Sequence, residues 1–157
     1  MPLRKGIPLR AVRQNRQMGF SIRDECPGRA ELVALYESVG WSAYTAAPER
    51  LEQAVAGSHL VLCARDEDNG NLLGLARTIS DGQTIAYLQD LLVAPGHQRR
   101  GIGGALLDEV LDRTHEIRQF VLLTDAEPAQ RAFYESRRLV ETHDARPNEL
   151  RAFVRLA

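Results

Sequence analysis

The sequence predicts a mixed α/β domain built around a mostly antiparallel sheet. Three observations carry this. Apolar runs of strand length are joined by Asn69-Gly70 and Asp81-Gly82, the residue types that tight hairpins require. A buried-strand pattern ending at Val93 passes through a glycine-rich turn into an amphipathic helix. Other segments place apolar residues at helical spacing between a leading proline and a closing glycine.

Taken in order, Phe20 to Arg23 alternates as a short first strand. Pro27-Gly28 announces a helix from about Arg29 to Val39, with Leu32, Leu35, Tyr36 and Val39 on one face and Gly40 ending it. Trp41 to Thr45 then reads as a loop rich in large amphipathic rings. Pro48 opens a second helix whose apolar positions are Leu51, Ala54 and Val55, and Gly57 closes it. His59 to Arg65, Leu72 to Ile79 and Thr84 to Val93 form a meander, with the Asn-Gly pair supplying positive φ at the first turn. A crossover helix from Gly101 to Thr114 follows, then a strand Phe120 to Thr124 and a helix from Pro128 to about Arg137. Leu139 to Thr142 and Leu150 to Leu156 read as closing strands. The expected total is six to seven strands with about four helices.

The 157 residues are 44% hydrophobic and 26% charged, the balance of a water-soluble globular chain. One domain is expected, over residues 18–157, and at this size it buries roughly 68–70% of its unfolded surface, enough for a core and a cleft. Residues 1–17 hold Arg4, Lys5, Arg10, Arg13 and Arg16 without an acid, leaving 15 basic and 21 acidic residues elsewhere, a balance of −6. These 17 residues read as a basic, flexible extension. No aromatic-plus-basic pattern follows it, so nucleic acid is not the expected partner. No apolar stretch reaches the 18 or so residues of a membrane span, and no signal core opens the chain. Cys26, before Pro27, and Cys63, inside Leu60 to Ala64, read as reduced thiols, and the expected setting is cytoplasmic.

The chemistry concentrates in Leu91 to Leu107, where Gln98-Arg99-Arg100-Gly101-Ile102-Gly103-Gly104 lies between a buried strand and a helix N-terminus. Free N–H groups and the positive helix end make an anion site, and glycine lets the backbone approach a phosphate closely. Arg99 and Arg100 add charge, so the ligand expected is a phosphate ester. A nucleoside-triphosphate loop would need Gly-Lys-Ser/Thr where the chain has Gly103-Gly104-Ala105. A dinucleotide fingerprint is only partly matched, with Leu106 at its third glycine, and the preceding meander is not a βαβ unit.

Gln98-Arg99-Arg100-Gly101-Ile102-Gly103 fits Gln/Arg-x-x-Gly-x-Gly/Ala, Val93-Ala94-Pro95 precedes it, and Ala132-Phe133-Tyr134-Glu135 follows. In this order and spacing the chain resembles the GCN5-related N-acetyltransferase (GNAT) family over about residues 19–156. The resemblance implies the GNAT fold and acetyl-CoA as cosubstrate. It places the backbone of Leu91, Leu92 and Val93 along pantetheine, which inserts where this strand splays from its neighbour. Gln98, Arg99, Arg100, Gly101, Ile102, Gly103 and Gly104 would then line the diphosphate. The family's Gly-Phe after the tyrosine helix is Arg138-Leu139 here, and its coenzyme-contacting asparagine is replaced by Ala126 and Ala129, a loss that Arg131 would offset.

Acetyl transfer to an amine needs a deprotonated amine and a protonated leaving thiol. The resemblance makes Tyr134 the general acid, and a phenol keeps its proton at neutral pH, with a reference pKa near 10. The plainer reading of Tyr134 is a core aromatic beside Phe133. Asp90 interrupts an apolar strand, and a carboxylate is costly to bury without a wet cleft or a partner. The resemblance makes it the base, acting directly or through a water, while the plainer reading has it pair with an arginine or cap a turn. Trp41, Tyr44 and Tyr87 can wall an acceptor pocket through cation–π attraction, or pack in the core. His59, His97, His115 and His143 have no metal-ligand spacing, so no metal is expected. The expectation is direct transfer from acetyl-CoA to a primary amine, a small molecule rather than a protein, with no covalent intermediate. A silent acyl-CoA sensor is the rival; homodimerisation is common in the resembled family, and the last strands could mediate it here.

Overall fold

The computed structural model describes the backbone of Gln14 and Asn15 and residues 19–156. Two compact units divide the chain between Leu122 and Leu123. Most of the expected basic extension lies outside the described residues, but Gln14 and Asn15 pair antiparallel with Ser21 and Phe20.

The first unit holds one sheet of six strands in sequential order: β1 (Gln14–Asn15), β2 (Phe20–Asp24), β3 (Leu60–Asp66), β4 (Leu72–Ser80), β5 (Ile85–Val93) and β6 (Gln119–Leu122). All pairs are antiparallel except β5 with β6, which run parallel because a helix crosses over between them. Five strands have four residues or more, and β1 has two. The helices of this unit are α1 (Arg29–Ser38), α2 (Ser42–Thr45), α3 (Pro48–Ala56) and α4 (Ile102–Arg113). The segment expected as a loop at Trp41 to Thr45 is thus mostly α2, a single turn whose Ala46 N–H bonds to Ser42 O.

Local chemistry explains these boundaries. Glu31 accepts from the Gly28 N–H at the start of α1, and Pro48 occupies the first turn of α3, where a missing N–H costs nothing. Leu32, Leu35 and Tyr36 of α1 and Leu51 and Val55 of α3 pack on Val61, Cys63, Leu75 and Leu92, forming one core on that face of the sheet. Ile102, Leu106, Leu107 and Val110 bury the inner stripe of α4, and Ile102 and Leu106 lie against Gly74 of β4. Ala54, expected among the apolar positions of α3, is exposed.

The first hairpin departs from expectation. A two-residue turn at Asn69-Gly70 does not form, and only Gly70 has positive φ, at 75°. Asp66 shapes a longer turn instead: its Oδ1 accepts from the N–H groups of Asp68 and Asn69, and its carbonyl from Gly70. At the second turn Gly82 has φ 77°, and Asp81 accepts from the N–H groups of Gln83, Thr84 and Ile85 and from the Thr84 hydroxyl. Those hydrogen bonds, led by that of Thr84, hold the Asp81 carboxyl well below the usual range.

The second unit contains α5 (Pro128–Glu135) and a 3-10 turn at Thr142–Asp144. Neither closing strand forms: Leu139 and Val140 lie outside any element, as do residues 150–156. Neither segment is paired with a strand among the described residues, and a strand exists only while its backbone is paired. Among the described residues the sheet has six strands, the lower of the expected numbers, and there are five α-helices.

Candidate active site

The turn after β5 is built to present backbone donors. Pro95–His97 makes one 3-10 turn, after which Arg99 adopts φ 57° and Gly101 φ 82° before α4 begins. The left-handed region is rare for a side chain such as Arg99 and marks a backbone held by its surroundings. Among the described residues, no acceptor takes the N–H groups of Arg99, Arg100, Gly101, Ile102, Gly103 or Gly104. The first internal bond of α4 runs from Ala105 N–H to Gly101 O, at 2.9 Å. These donors at the positive end of a twelve-residue helix form an anion cradle. Gln98 turns back and donates to Val93 O at 3.0 Å, clamping the loop to the strand, and Arg100 lies 3.0 Å from His97 Nδ1.

Beside the loop, β5 has an open edge. It pairs with β4 through Val93, but with β6 only from Ile85 to Leu88. From Gln89 to Val93 the β6-side edge has no ladder partner among the described residues. Leu91 and Val93 are half-buried there, whereas the Leu92 side chain, 4% exposed, is part of the core. Any part Leu92 plays toward a ligand is therefore a backbone one.

Asp90 is 1% exposed and accepts from three side chains. Arg77 Nε pairs with its Oδ2, Tyr36 Oη donates to Oδ2 at 2.7 Å, and Tyr44 Oη donates to Oδ1 at 3.0 Å. Of the two sequence readings of Asp90, the arginine-paired carboxylate is present. Gln89 Nε2 donates to Tyr44 Oη at 3.0 Å, and Arg77 Nη1 donates to Ser58 Oγ at 3.3 Å. Both residues 89 and 90 reach Tyr44 because the ladder skips one residue: Arg77 faces Asp90, but Thr78 faces Leu88, leaving Gln89 as a bulge. Burial, then the Asp90 charge and hydrogen bond, push the Tyr36 phenol far above its ordinary value. Tyr44 is raised for the same reasons, with the Gln89 hydrogen bond opposing. Burial alone would lower the Arg77 guanidinium, but the Asp90 charge outweighs it and the net direction is up.

The expected pocket aromatics divide. Trp41 and Tyr44 lie with ring centroids 5.8 Å apart, and both touch the Tyr36 ring. Tyr87 is half-buried on β5, opposite Ile79. The sequence reading does not reach Arg77, Gln89 and Ser58, and it takes Tyr36 only as an apolar position of the first helix. One signal was available: Arg77 interrupts the apolar run of β4 as Asp90 interrupts that of β5.

In the second unit, Tyr134 is half-buried on α5 with its ring 5.0 Å from that of Phe133. Burial raises its phenol pKa, against a hydrogen bond with Thr124. Arg131 is engaged by Glu135 at 2.8 Å and by Glu141 and Asp144 at 2.7 Å each. Glu141, His143 and Asp144 form the one metal-type grouping among the described residues, and Arg131 already bridges both of its carboxylates.

A family model described as an acetyltransferase (GNAT) domain matches residues 33–149. The chain belongs to the GNAT acetyltransferase family. A solved GNAT acetyltransferase, SP0256 from Streptococcus pneumoniae TIGR4, superposes with a TM-score of 0.71 at 30% identity, covering 87% of this chain and 99% of that one. Curated relatives match shorter stretches. A histone acetyltransferase TAP1 of Glycine max is 32% identical over 88 residues, 52% of this chain and 38% of that protein. A mycothiol acetyltransferase of Kineococcus radiotolerans is 48% identical over 60 residues, 37% of this chain and 18% of that protein. The chain thus spans well under half the length of these two relatives.

Proposed function

We propose that this GNAT domain is an acetyl-CoA-dependent N-acetyltransferase that passes the acetyl group directly to a primary amine of a small molecule. One observation carries the reading: among the described residues, six N–H groups without an acceptor, leading into α4, follow a strand whose β6-side edge is unpaired beyond Leu88. Such donors suit a diphosphate, and an open strand edge suits the amides of pantetheine. Acetyl-CoA supplies the activated thioester. Gln98 to Gly104 hold the phosphates, and the backbone of Leu91, Leu92 and Val93 holds the arm. Arg131 joins them only by giving up one of its ion pairs.

Tyr134 is the proposed acid, keeping its proton until the departing sulfur needs it; its raised pKa supports this. We assign Asp90 a positioning role in place of the direct base, since its oxygens are taken by Arg77, Tyr36 and Tyr44 and it is 1% exposed. Trp41, Tyr44 and Tyr87 wall the acceptor side. The free thiols of Cys26 and Cys63 support a reducing, cytoplasmic setting. Exposed Leu150, Phe153, Val154 and Leu156 support a homodimer.

The test is calorimetry with coenzyme A and acetyl-CoA, together with thiol release in the presence of an amine panel. Tyr134→Phe should lower turnover about 10²–10⁴-fold with coenzyme affinity kept. Coenzyme binding without release for any amine would leave a sensor instead, and no binding at millimolar coenzyme would end the reading.

A further inference from the structure

The acetyltransferase reading leaves the acceptor open, and the sheet face beside Asp90 narrows it. In β4, Ile79 shares the face of Arg77, two residues earlier, and lies opposite Tyr87. Ile79 is 51% exposed, an apolar side chain facing the half-buried Tyr87 across the ladder, on the β4 face whose Arg77 pairs with the Asp90 that Tyr44 also bonds. The polar groups offered there are neutral: Tyr44 Oη and the Gln89 carboxamide, 3.0 Å apart.

The balance of charge is the decisive point. Among the described residues, Asp90 is the only carboxylate hydrogen-bonded into this aromatic group, and Arg77 pairs with it. Asp81, two residues beyond Ile79, is folded onto its own turn, and Glu37, next to Tyr36, lies on the exposed side of α1. One ammonium can rest against ring faces and the Tyr44 oxygen. A second would meet the apolar side chains of Ile79 and Tyr87, while Asp90, the carboxylate of this group, is already held by Arg77, Tyr36 and Tyr44.

We propose that the acceptor is a monoamine with an aromatic or apolar body, and that Ile79 and Tyr87 set this preference against polyamines and other polycations. The inference rests on the acetyltransferase reading above.

The experiment measures kcat/KM by thiol release for phenylethylamine and spermidine, using the full chain and the variants Ile79→Asp and Ile79→Asn. The wild type should favour phenylethylamine by about 10-fold or more, the scale a single pocket contact commands. Ile79→Asp should shrink or invert that ratio, Ile79→Asn should shrink it less, and acetyl-CoA affinity should stay the same in calorimetry. Equal or better use of spermidine by the wild type, or a ratio unmoved by Ile79→Asp, would overturn the inference while acetyl transfer itself stood. Coenzyme binding without release for either amine, or for a wider panel, would overturn the transferase reading and this inference with it.

Discussion

Tyr36 Oη donates to Asp90 Oδ2 at 2.7 Å, joining α1 to β5 across 54 residues of sequence. Both side chains are buried, so the phenol has no water to turn to and the carboxylate no other source for that hydrogen bond. Tyr36→Phe should destabilise the chain by about 1.5–3 kcal/mol, the range for a hydrogen bond to a charged group. Tyr44→Phe should cost less, because Tyr44 is half-buried and water can replace it. Denaturant midpoints of the two variants decide the order.

Arg77 and Asp90 behave as one unit. Removing the cation alone, in Arg77→Met, leaves a buried carboxylate short of its counter-charge and should cost about 3–5 kcal/mol. Adding Asp90→Leu to that variant should recover part of the loss, because the uncompensated charge is gone. A double-mutant cycle in which the two effects simply add would contradict this coupling.

Gly74 seats α4 on the sheet. A Cβ there would meet Leu92 O at 2.9 Å, and Ile102 Cγ2 and Leu106 Cδ1 at 3.3 Å each. The backbone atom cannot swing aside as a side-chain end can, so Gly74→Ala should cost about 1–3 kcal/mol. Because Ile102 lies in the first turn of α4, coenzyme affinity should fall in the same variant. Unfolding curves and calorimetry measure the two effects separately.

Alkaline pH should weaken the fold. Burial first, and then nearby negative charge, raise both the Tyr36 phenol and the Cys63 thiol. The folded chain keeps these protons where the unfolded chain releases them, near about pH 8.5 for a thiol and about pH 10 for a phenol. The stability they contribute is complete below those unfolded values and is lost as pH rises toward the folded ones. Urea midpoints should hold steady between about pH 6 and 8 and decline by about pH 10–11. Cys63→Ala should flatten the early part of the decline, and a slope unchanged by it would assign the effect elsewhere.

Much of the candidate site was legible because its signals are local. Gln98 to Gly104 declares a turn and a helix start through residue types that act on their own backbone, and Gly101 duly takes φ 82°. Pro48, Gly57 and Gly82 mark element ends by the same short-range means. Asn69-Gly70 misled because Asp66, a few residues earlier, offered the backbone a better set of hydrogen bonds.

The sequence by itself determined the order of the elements from β2 to α5 apart from the short α2, the donor-rich turn and the family that they signal, since torsion preferences and capping depend on near neighbours. Only the tertiary structure decided what Asp90 pairs with, because its partners Arg77, Tyr44 and Tyr36 stand 13, 46 and 54 residues away. Packing alone could bring them to one carboxylate, with the bulge at Gln89 turning two consecutive side chains toward Tyr44. The closing segments teach the same point: apolar alternation makes Leu150 to Leu156 able to pair, but a strand exists only once tertiary packing brings a partner to it, and no stretch of sequence carries its own.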